Sequence, residues 1–328
     1  MKAIVYEDYG PPDVLALKEV AKPVPGNGNV LVKVHAASVN SWDWDLLRGT
    51  PFVNRMMAGL SKPKRIKILG CDIAGRVEAV GKNAELFQPG DEVFGDLSRC
   101  GWGGFAEYVS VPEKALALKP ACLSFEQAAA VPQAGLLALQ GLRDKGHIRS
   151  GQRVLINGAG GGVGTFAIQI AKISGTDVTG VDHTDKLELM RATGANHVID
   201  YTREDFTQNG QQYDLILDVM GHHSIFDYRR ALGPGGTYVM VGGTTPLANQ
   251  IMFLGPWISM IGSKKTGLLL HKPNKGMSVL KEFLEAGKVA PVIDRCYPLE
   301  AVAEAIRYLG EGHAKGKVVI TLERGSKA

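Results

Sequence analysis

Residues 154–173 read VLINGAGGGVGTFAIQIAKI, and three kinds of local structure follow one another in them. Val154-Leu155-Ile156 is a short apolar run of the kind a buried parallel strand needs. A glycine-rich turn follows at once. Beyond it Phe166, Ala167, Ile170 and Ala171 recur three and four apart, like one face of a helix. A strand, a tight glycine turn and a helix form a phosphate cradle, because unpaired N–H groups and the positive end of the macrodipole gather at the helix N-terminus.

Counted from Ala159, the turn is Ala-x-Gly161-x-x-Gly164, a variant of the dinucleotide fingerprint with alanine in its first position. Gly161 lets a pyrophosphate reach the backbone, and Gly164 lets the helix pack close on the strand. With Gly162 and Val163, which open the helix, Ala159, Gly161 and Gly164 are candidate cofactor-binding residues.

The chain has 328 residues, enough for two domains. Its 45% hydrophobic and 21% charged residues are ordinary for a globular protein, and a net charge of +4 makes no case for nucleic acid. Cys71, Cys100, Cys122 and Cys296 are scattered without a CxxC pair, which points to a reducing, cytoplasmic setting rather than to disulfides or a structural zinc lobe. No run approaches the roughly 20 apolar residues of a membrane span.

Residues 1 to about 120 read as short strands separated by glycine and proline turns, and this signature stops abruptly. Ser124 with Gln127 then forms a capping box, Pro132 interrupts that helix, and a second helix is expected over 134–145. Strand and helix patterns alternate from 154 to 241, as in a parallel, doubly wound sheet. Two helices, 277–286 and 299–309, precede a strand over 316–322, and composition does not say which domain that strand joins.

The stretches AASVNSWDWDLLRG (36–49), LGCDIAGRVEAVGKNAELFQPGDEVFG (69–95), NGAGGGVGTFAIQIAK (157–172), GANHVIDYTREDF (194–206) and EAIRYLGEGHAKGKVVI (304–320) resemble the medium-chain dehydrogenase/reductase superfamily. Within it they resemble the zinc-independent quinone oxidoreductase branch, in the group that includes the chloroplast envelope quinone oxidoreductase homologue. The resemblance implies an α/β chain: a GroES-like β-barrel catalytic domain over 1–122 and 268–328, with a Rossmann dinucleotide-binding domain inserted over 123–267. It also implies a homodimer.

By the same resemblance, the catalytic-zinc ligands of metal-dependent relatives fall on Asn40, on Cys71-Asp72, and on or beside Gln133. Asn40 and Gln133 offer neither thiolate nor imidazole, so no metal is expected. Without a Lewis acid, a conjugated acceptor is favoured, because a quinone or an α,β-unsaturated carbonyl spreads the charge that a hydride brings. The candidate catalytic residues are Asn40, whose amide can donate to the acceptor carbonyl, and the carboxylates Asp43 and Asp72. Related quinone reductases carry a tyrosine where Asp45 stands here, which bears on the choice of substrate.

Asp182 lies eighteen positions after Gly164, where an acid accepts from the ribose hydroxyls of NAD. Lys186 and Tyr201 stand where the resemblance places the groups that bind the extra phosphate of NADP. The expectation is NADP(H), with NAD(H) as the alternative. Gly242 and Gly243, after a parallel strand, complete the cofactor set. Residues 52–67 mix Arg55, Lys62, Lys64, Arg65 and Lys67 with apolar side chains. An excursion over the substrate site is the favoured reading of them, ahead of peripheral association with anionic lipid. The sequence thus favours an NAD(P)H-dependent quinone or enone oxidoreductase. Its rivals are a zinc-free alcohol or aldehyde dehydrogenase and a non-catalytic NADPH-binding protein of the same fold.

Overall fold

The computed structural model describes residues 1–260 and 262–322. They form two compact units. One comprises Met1–Gln133, Pro273–Met277 and the chain from Ile293, and the other comprises Ala134–Lys272 and Ser278–Val292.

The second unit is built on six strands, every adjacent pair of them parallel: Arg153–Asn157, Asp177–Asp182, His197–Asp200, Tyr213–Asp218, Leu232–Met240 and Lys265–Leu268. Numbered along the chain, they lie across the sheet in the order 3-2-1-4-5-6, the doubly wound dinucleotide-binding order. Parallel strands are covered on both faces, which is why they read as unbroken apolar runs. Val154, Leu155 and Ile156 are fully buried, as are Leu215, Ile216 and Leu217. The order reverses between Arg153–Asn157 and Tyr213–Asp218, and a crevice opens beyond the C-terminal ends of strands at such a reversal.

The first unit is organised on the eleven-residue strand Asn29–Val39, which pairs antiparallel with Asp72–Val80, Tyr108–Pro112 and Lys317–Thr321. The last of these answers what composition left open: the C-terminal strand returns to the first unit, with Val318 opposite Val39. Beyond it lies Ile293–Pro298, and beyond Asp72–Val80 lies Glu92–Asp96. A single core of Val32, Val34, Val39, Leu46, Leu47, Ile73, Val93 and Phe105 joins the sheet to the Ser41–Arg48 helix.

The compact division differs from the sequence boundaries at 122/123 and 267/268. The Phe125–Ala129 helix packs on the Asn29–Val39 and Asp72–Val80 strands, with Phe125 stacked on His35 at 4.2 Å, so it stays with the first unit. Leu268 pairs with Met240 as part of the sixth parallel strand. Residues 323–328 lie outside the described part.

The Ser124–Gln127 capping box is formed in both directions. Pro132 opens a new helix, Pro132–Leu139, and the expected helical run to 145 is α-helical only that far; Gln140–Lys145 winds as a wider π-turn. There the Gln140 amide exchanges two hydrogen bonds with the Lys272 backbone. Within 52–67 only Phe52–Ala58 is helical, with Phe52, Val53 and Met56 exposed. No helix among the described residues is long and apolar enough to cross a membrane.

Candidate functional site

Chemistry-bearing side chains gather in two places, one in each unit. In the second unit the glycine turn is locked onto the neighbouring strand, since the Gly158 and Ala159 N–H groups both donate to Val181 O. Gly161 caps the twelve-residue helix Gly162–Ile173. A Cβ on Gly164 would sit 2.2 Å from Gly158 O and 2.5 Å from Ala159 Cα, so only glycine lets this helix approach. A Cβ on Gly161 would meet nothing closer than Gly158 O at 3.5 Å, leaving the space before the helix N-terminus open. These residues fit a dinucleotide pyrophosphate.

Asp182 and Lys186, read in the sequence as opposing signals, are partners: Lys186 Nζ lies 3.4 Å from Asp182 Oδ1. The Asp182 carboxylate also accepts from Gly160 N at 2.9 Å and His183 N at 2.8 Å, which ties it to the turn itself. A Cβ on Gly160 would lie 2.6 Å from Lys186 Cβ, so the lysine stem runs over that glycine. Gly160 therefore belongs to the site, although the fingerprint spacing leaves it unmarked. Tyr201 is half-exposed beside His183, with ring centroids 6.0 Å apart.

Gly242 and Gly243 stand where the Leu232–Met240 strand ends. A Cβ on Gly243 would lie 2.4 Å from Gly221 O, and one on Gly242 2.6 Å from Val219 O, so this pair lets two strand-end loops touch. Beside them Asp218 is buried at the order reversal and accepts from Asn157 Nδ2 at 2.8 Å and Tyr238 Oη at 2.7 Å. Burial pushes the Asp218 carboxyl up, against the hydrogen bonds of Tyr228, Tyr238 and Asn157. Sequence reading missed this cluster, because its three members come from separate strands and no spacing links them.

In the first unit Asn40 caps the Ser41–Arg48 helix. Asp43, fully buried, accepts from Asn40 N and Gly70 N, both at 2.8 Å, and so ties the start of that helix to the 69–71 segment. Its carboxyl is pushed up to about 7 by burial, against those two N–H groups. Asp72, also fully buried, accepts at Oδ1 from Gln133 N and at Oδ2 from Ser38 Oγ and Asn40 Nδ2, each at 3.0 Å. Burial pushes Asp72 up to about 6, opposed first by Lys317, whose Nζ lies 3.7 Å away. Lys317, 2% exposed at the start of the C-terminal strand, donates to Asn40 Oδ1 at 2.6 Å. Two amide groups rest on the Cys71 sulfur, Gln133 Nε2 at 3.3 Å and Asn40 Nδ2 at 3.5 Å. Lys317 was not among the candidates; it lies 277 positions from Asn40, and only strand pairing brings them together.

Two family models match this chain. Residues 26–121 match the family model described as alcohol dehydrogenase GroES-like domain, and residues 193–320 match that described as zinc-binding dehydrogenase. A 2-methylene-furan-3-one reductase of Solanum lycopersicum is 36% identical over 98% of this chain and 79% of its own length. The chain belongs to the medium-chain dehydrogenase/reductase superfamily, in its quinone oxidoreductase branch. An NADPH-dependent alkenal/one oxidoreductase of Arabidopsis thaliana is 35% identical over the same shares. Among solved structures, the quinone oxidoreductase from Coxiella burnetii superposes with a TM-score of 0.88 at 30% identity, covering 98% of this chain and 99% of that one.

Some members of this superfamily hold zinc, and the first unit does contain a buried group of Cys71, Asp72 and Asp96. Their surroundings do not fit the ion. Only one of the three is a soft ligand and none is an imidazole, and burial, with Asp72, Asp96 and Asp43 adding to it, pushes the Cys71 thiol well up. Both Asp72 oxygens are already engaged, and the neighbouring cation is Lys317.

Proposed function

We propose that the protein is a zinc-independent, NADPH-preferring oxidoreductase that transfers hydride to a quinone or an α,β-unsaturated carbonyl, its acceptor oxygen gripped by the Asn40 amide. The observation that carries this reading is the Asn40 environment. One end of the amide is fixed by Lys317 and the other by Asp72, while a Nδ2 hydrogen has only long contacts, to the weakly accepting Cys71 Sγ at 3.5 Å and to Ser38 O at 3.4 Å. An acceptor carbonyl is a better partner than a thiol, so this N–H turns to it. A single amide suffices where conjugation spreads the charge.

A reduced nicotinamide held by the second unit would supply the hydride for a new C–H bond; the acceptor's π pair would move to its oxygen beside Asn40, with the proton taken from water. The turn from Gly158 to Gly164 holds the pyrophosphate on backbone N–H groups. NADPH preference is supported by the Asp182 carboxylate being committed to Gly160, His183 and Lys186 rather than free to repel a phosphate. Lys186 and Tyr201 then receive the 2′-phosphate. Asp43 and Asp72 position Asn40, and Gly242 and Gly243 shape the strand ends beside Asp218. The division of labour is that of a catalytic unit over Met1–Gln133, Pro273–Met277 and the chain from Ile293, and a cofactor unit over Ala134–Lys272 and Ser278–Val292. Four cysteines scattered without a CxxC pair suit a reducing compartment such as the cytoplasm. Association as a homodimer accounts for Met252, Phe253, Trp257 and Met260, all exposed on the Thr245–Met260 helix.

The test is NADPH oxidation over a panel of quinones, alkenals, enones, saturated aldehydes and alcohols. Turnover confined to conjugated acceptors supports the reading. Equal turnover of saturated aldehydes, or tight NADPH binding with no turnover of any acceptor, rejects it.

A further inference from the structure

We propose that Lys317 is the remote cation of the active site: it polarises the Asn40 amide through its carbonyl and so strengthens the N–H that meets the acceptor oxygen. The inference rests on the role given to Asn40 above and extends it to a residue at the other end of the chain.

A lysine is almost never fully buried unless it is paired. Lys317 is 2% exposed, and its pairing is unequal. The shorter contact, 2.6 Å, goes to the neutral Asn40 oxygen, and the longer, 3.7 Å, goes to the Asp72 carboxylate. Asp72 does not need the lysine to satisfy its hydrogen bonding, since Gln133 N, Ser38 Oγ and Asn40 Nδ2 already donate to it at 3.0 Å. The ammonium is thus aimed at an amide oxygen inside a dry site, where hydrogen bonds in series polarise one another.

The direction of that polarisation is fixed by chemistry. An ammonium can only donate and a carboxylate can only accept, so the Asn40 oxygen must face Lys317 and its nitrogen must face Asp72. Charge drawn toward the oxygen makes the amide N–H more acidic. The series runs ammonium, amide carbonyl, amide N–H, acceptor oxygen, and it is completed only when the acceptor displaces the thiol sulfur. No proton leaves Lys317 in the step. The hydride's electron pair becomes the new C–H bond, the acceptor's own π pair ends on its oxygen, and the lysine's contribution grows with the charge there. The same contacts hold Asn40 in place through Val318, which pairs with Val39 in the strand that leads into Asn40.

The decisive variants are Lys317→Gln, which keeps a neutral donor of similar reach, and Lys317→Arg, which keeps the charge. Turnover is measured on an enone and on a quinone, with Asn40→Ala and the double variant Asn40→Ala/Lys317→Gln completing the cycle. Lys317→Gln is expected to lower kcat on the enone about tenfold, below the roughly hundredfold of a direct donor, because it acts through one bond more. The loss on the quinone should be several-fold smaller, because that acceptor needs less help. The KM for NADPH stays within about twofold, and the double variant is no worse than Asn40→Ala alone. Lys317→Arg should recover part of the loss. Equal losses on both acceptors, or losses that add fully to those of Asn40→Ala, would show Lys317 to be structural only and overturn the proposal. An Asn40→Ala variant with unchanged turnover would remove Asn40 from the site and this inference with it, whereas a harmful Asn40→Ala with a harmless Lys317→Gln would overturn the inference alone. If Lys317→Gln does not fold, Lys317→Arg decides. Its kcat should stay within about fivefold of wild type, and a loss as large as that of Asn40→Ala refutes the polarising role.

Discussion

Replacing Gly161 and Gly164 in turn by alanine separates the two jobs that the glycine turn performs. At Gly164 the new methyl would stand 2.2 Å from Gly158 O and 2.5 Å from the Ala159 backbone, and no side chain is available to swing aside. The Gly162–Ile173 helix must ride off its strand, an overpacking cost of about 1–3 kcal/mol. At Gly161 the backbone has φ −88° and ψ −177°, which alanine adopts freely, and the nearest atom is at 3.5 Å. Folding is therefore kept, or gains about 0.4–1 kcal/mol from the stiffer unfolded chain. The methyl projects instead into the open space before the helix N-terminus. Holding a pyrophosphate away from the N–H groups should weaken NADPH binding by about tenfold or more, about 1.4 kcal/mol. Thermal melts with and without NADPH, together with a fluorescence titration, read both effects. Gly164→Ala should lower Tm by several degrees without ligand. Gly161→Ala should melt like wild type alone and gain less from NADPH than the roughly 2.7 kcal/mol expected at a hundredfold excess over Kd. A Gly161→Ala protein that binds NADPH as tightly as wild type would refute the cradle, and an undisturbed Gly164→Ala would refute the packing argument.

Lys186→Ala leaves Asp182 without the cation 3.4 Å from it. The KM for NADPH should rise about tenfold, with that for NADH within about twofold; equal changes in both would show that Lys186 does not read the phosphate. The Asp45 carboxyl is pushed up to about 6 by burial, against the pull of Arg48. An acid whose folded pKa is raised holds its proton more tightly when folded, so its contribution is intact below the unfolded value near 4 and is lost as pH rises toward 6. Asp45→Asn should raise Tm relative to wild type at pH 8 and leave it unchanged at pH 4, and a difference that persists at pH 4 would contradict this origin.

The nucleotide-binding unit was legible because its signals are local. Val154 to Ile156, the glycine turn and the following helix lie within twenty residues, and each states its own geometry. The C-terminal strand's return to the first unit came from resemblance, since no periodicity distinguishes a strand that ends one domain from one that begins another. The Asn40 site was half legible. Asn40, Cys71, Asp72 and Gln133 could be placed by motif, but what each does depends on partners joined by pairing between distant strands. Asp43 read as a candidate acid and is a brace between Asn40 N and Gly70 N. Asp182 and Lys186 looked contradictory only because sequence carries no distances. The Ser41–Arg48 helix passed unnoticed although its cap is local: the Asp43 carboxylate accepts from Asn40 N three positions back, an Asn-x-x-Asp box written in the sequence.

Lys317 also offers a reason for the proposed zinc-independence of the first unit, and that reason can be tested by trying to restore the ion. A dication seated among residues 40, 71 and 133 would lie within about 5 Å of the ammonium, a repulsion of about 7 kcal/mol at an effective dielectric constant near 20. That is a large share of the roughly 10–16 kcal/mol that a structural zinc site delivers. Supplying thiols is therefore insufficient: Asn40→Cys/Gln133→Cys should take up little zinc while Lys317 remains, and adding Lys317→Met should allow close to one equivalent. Metal-stripped proteins given one equivalent of zinc, dialysed and measured by elemental analysis would read the difference, with wild type retaining none. Stoichiometric zinc held by wild type would overturn the zinc-independent reading. Equal zinc in the double and triple variants would show that the ammonium is not what excludes the ion.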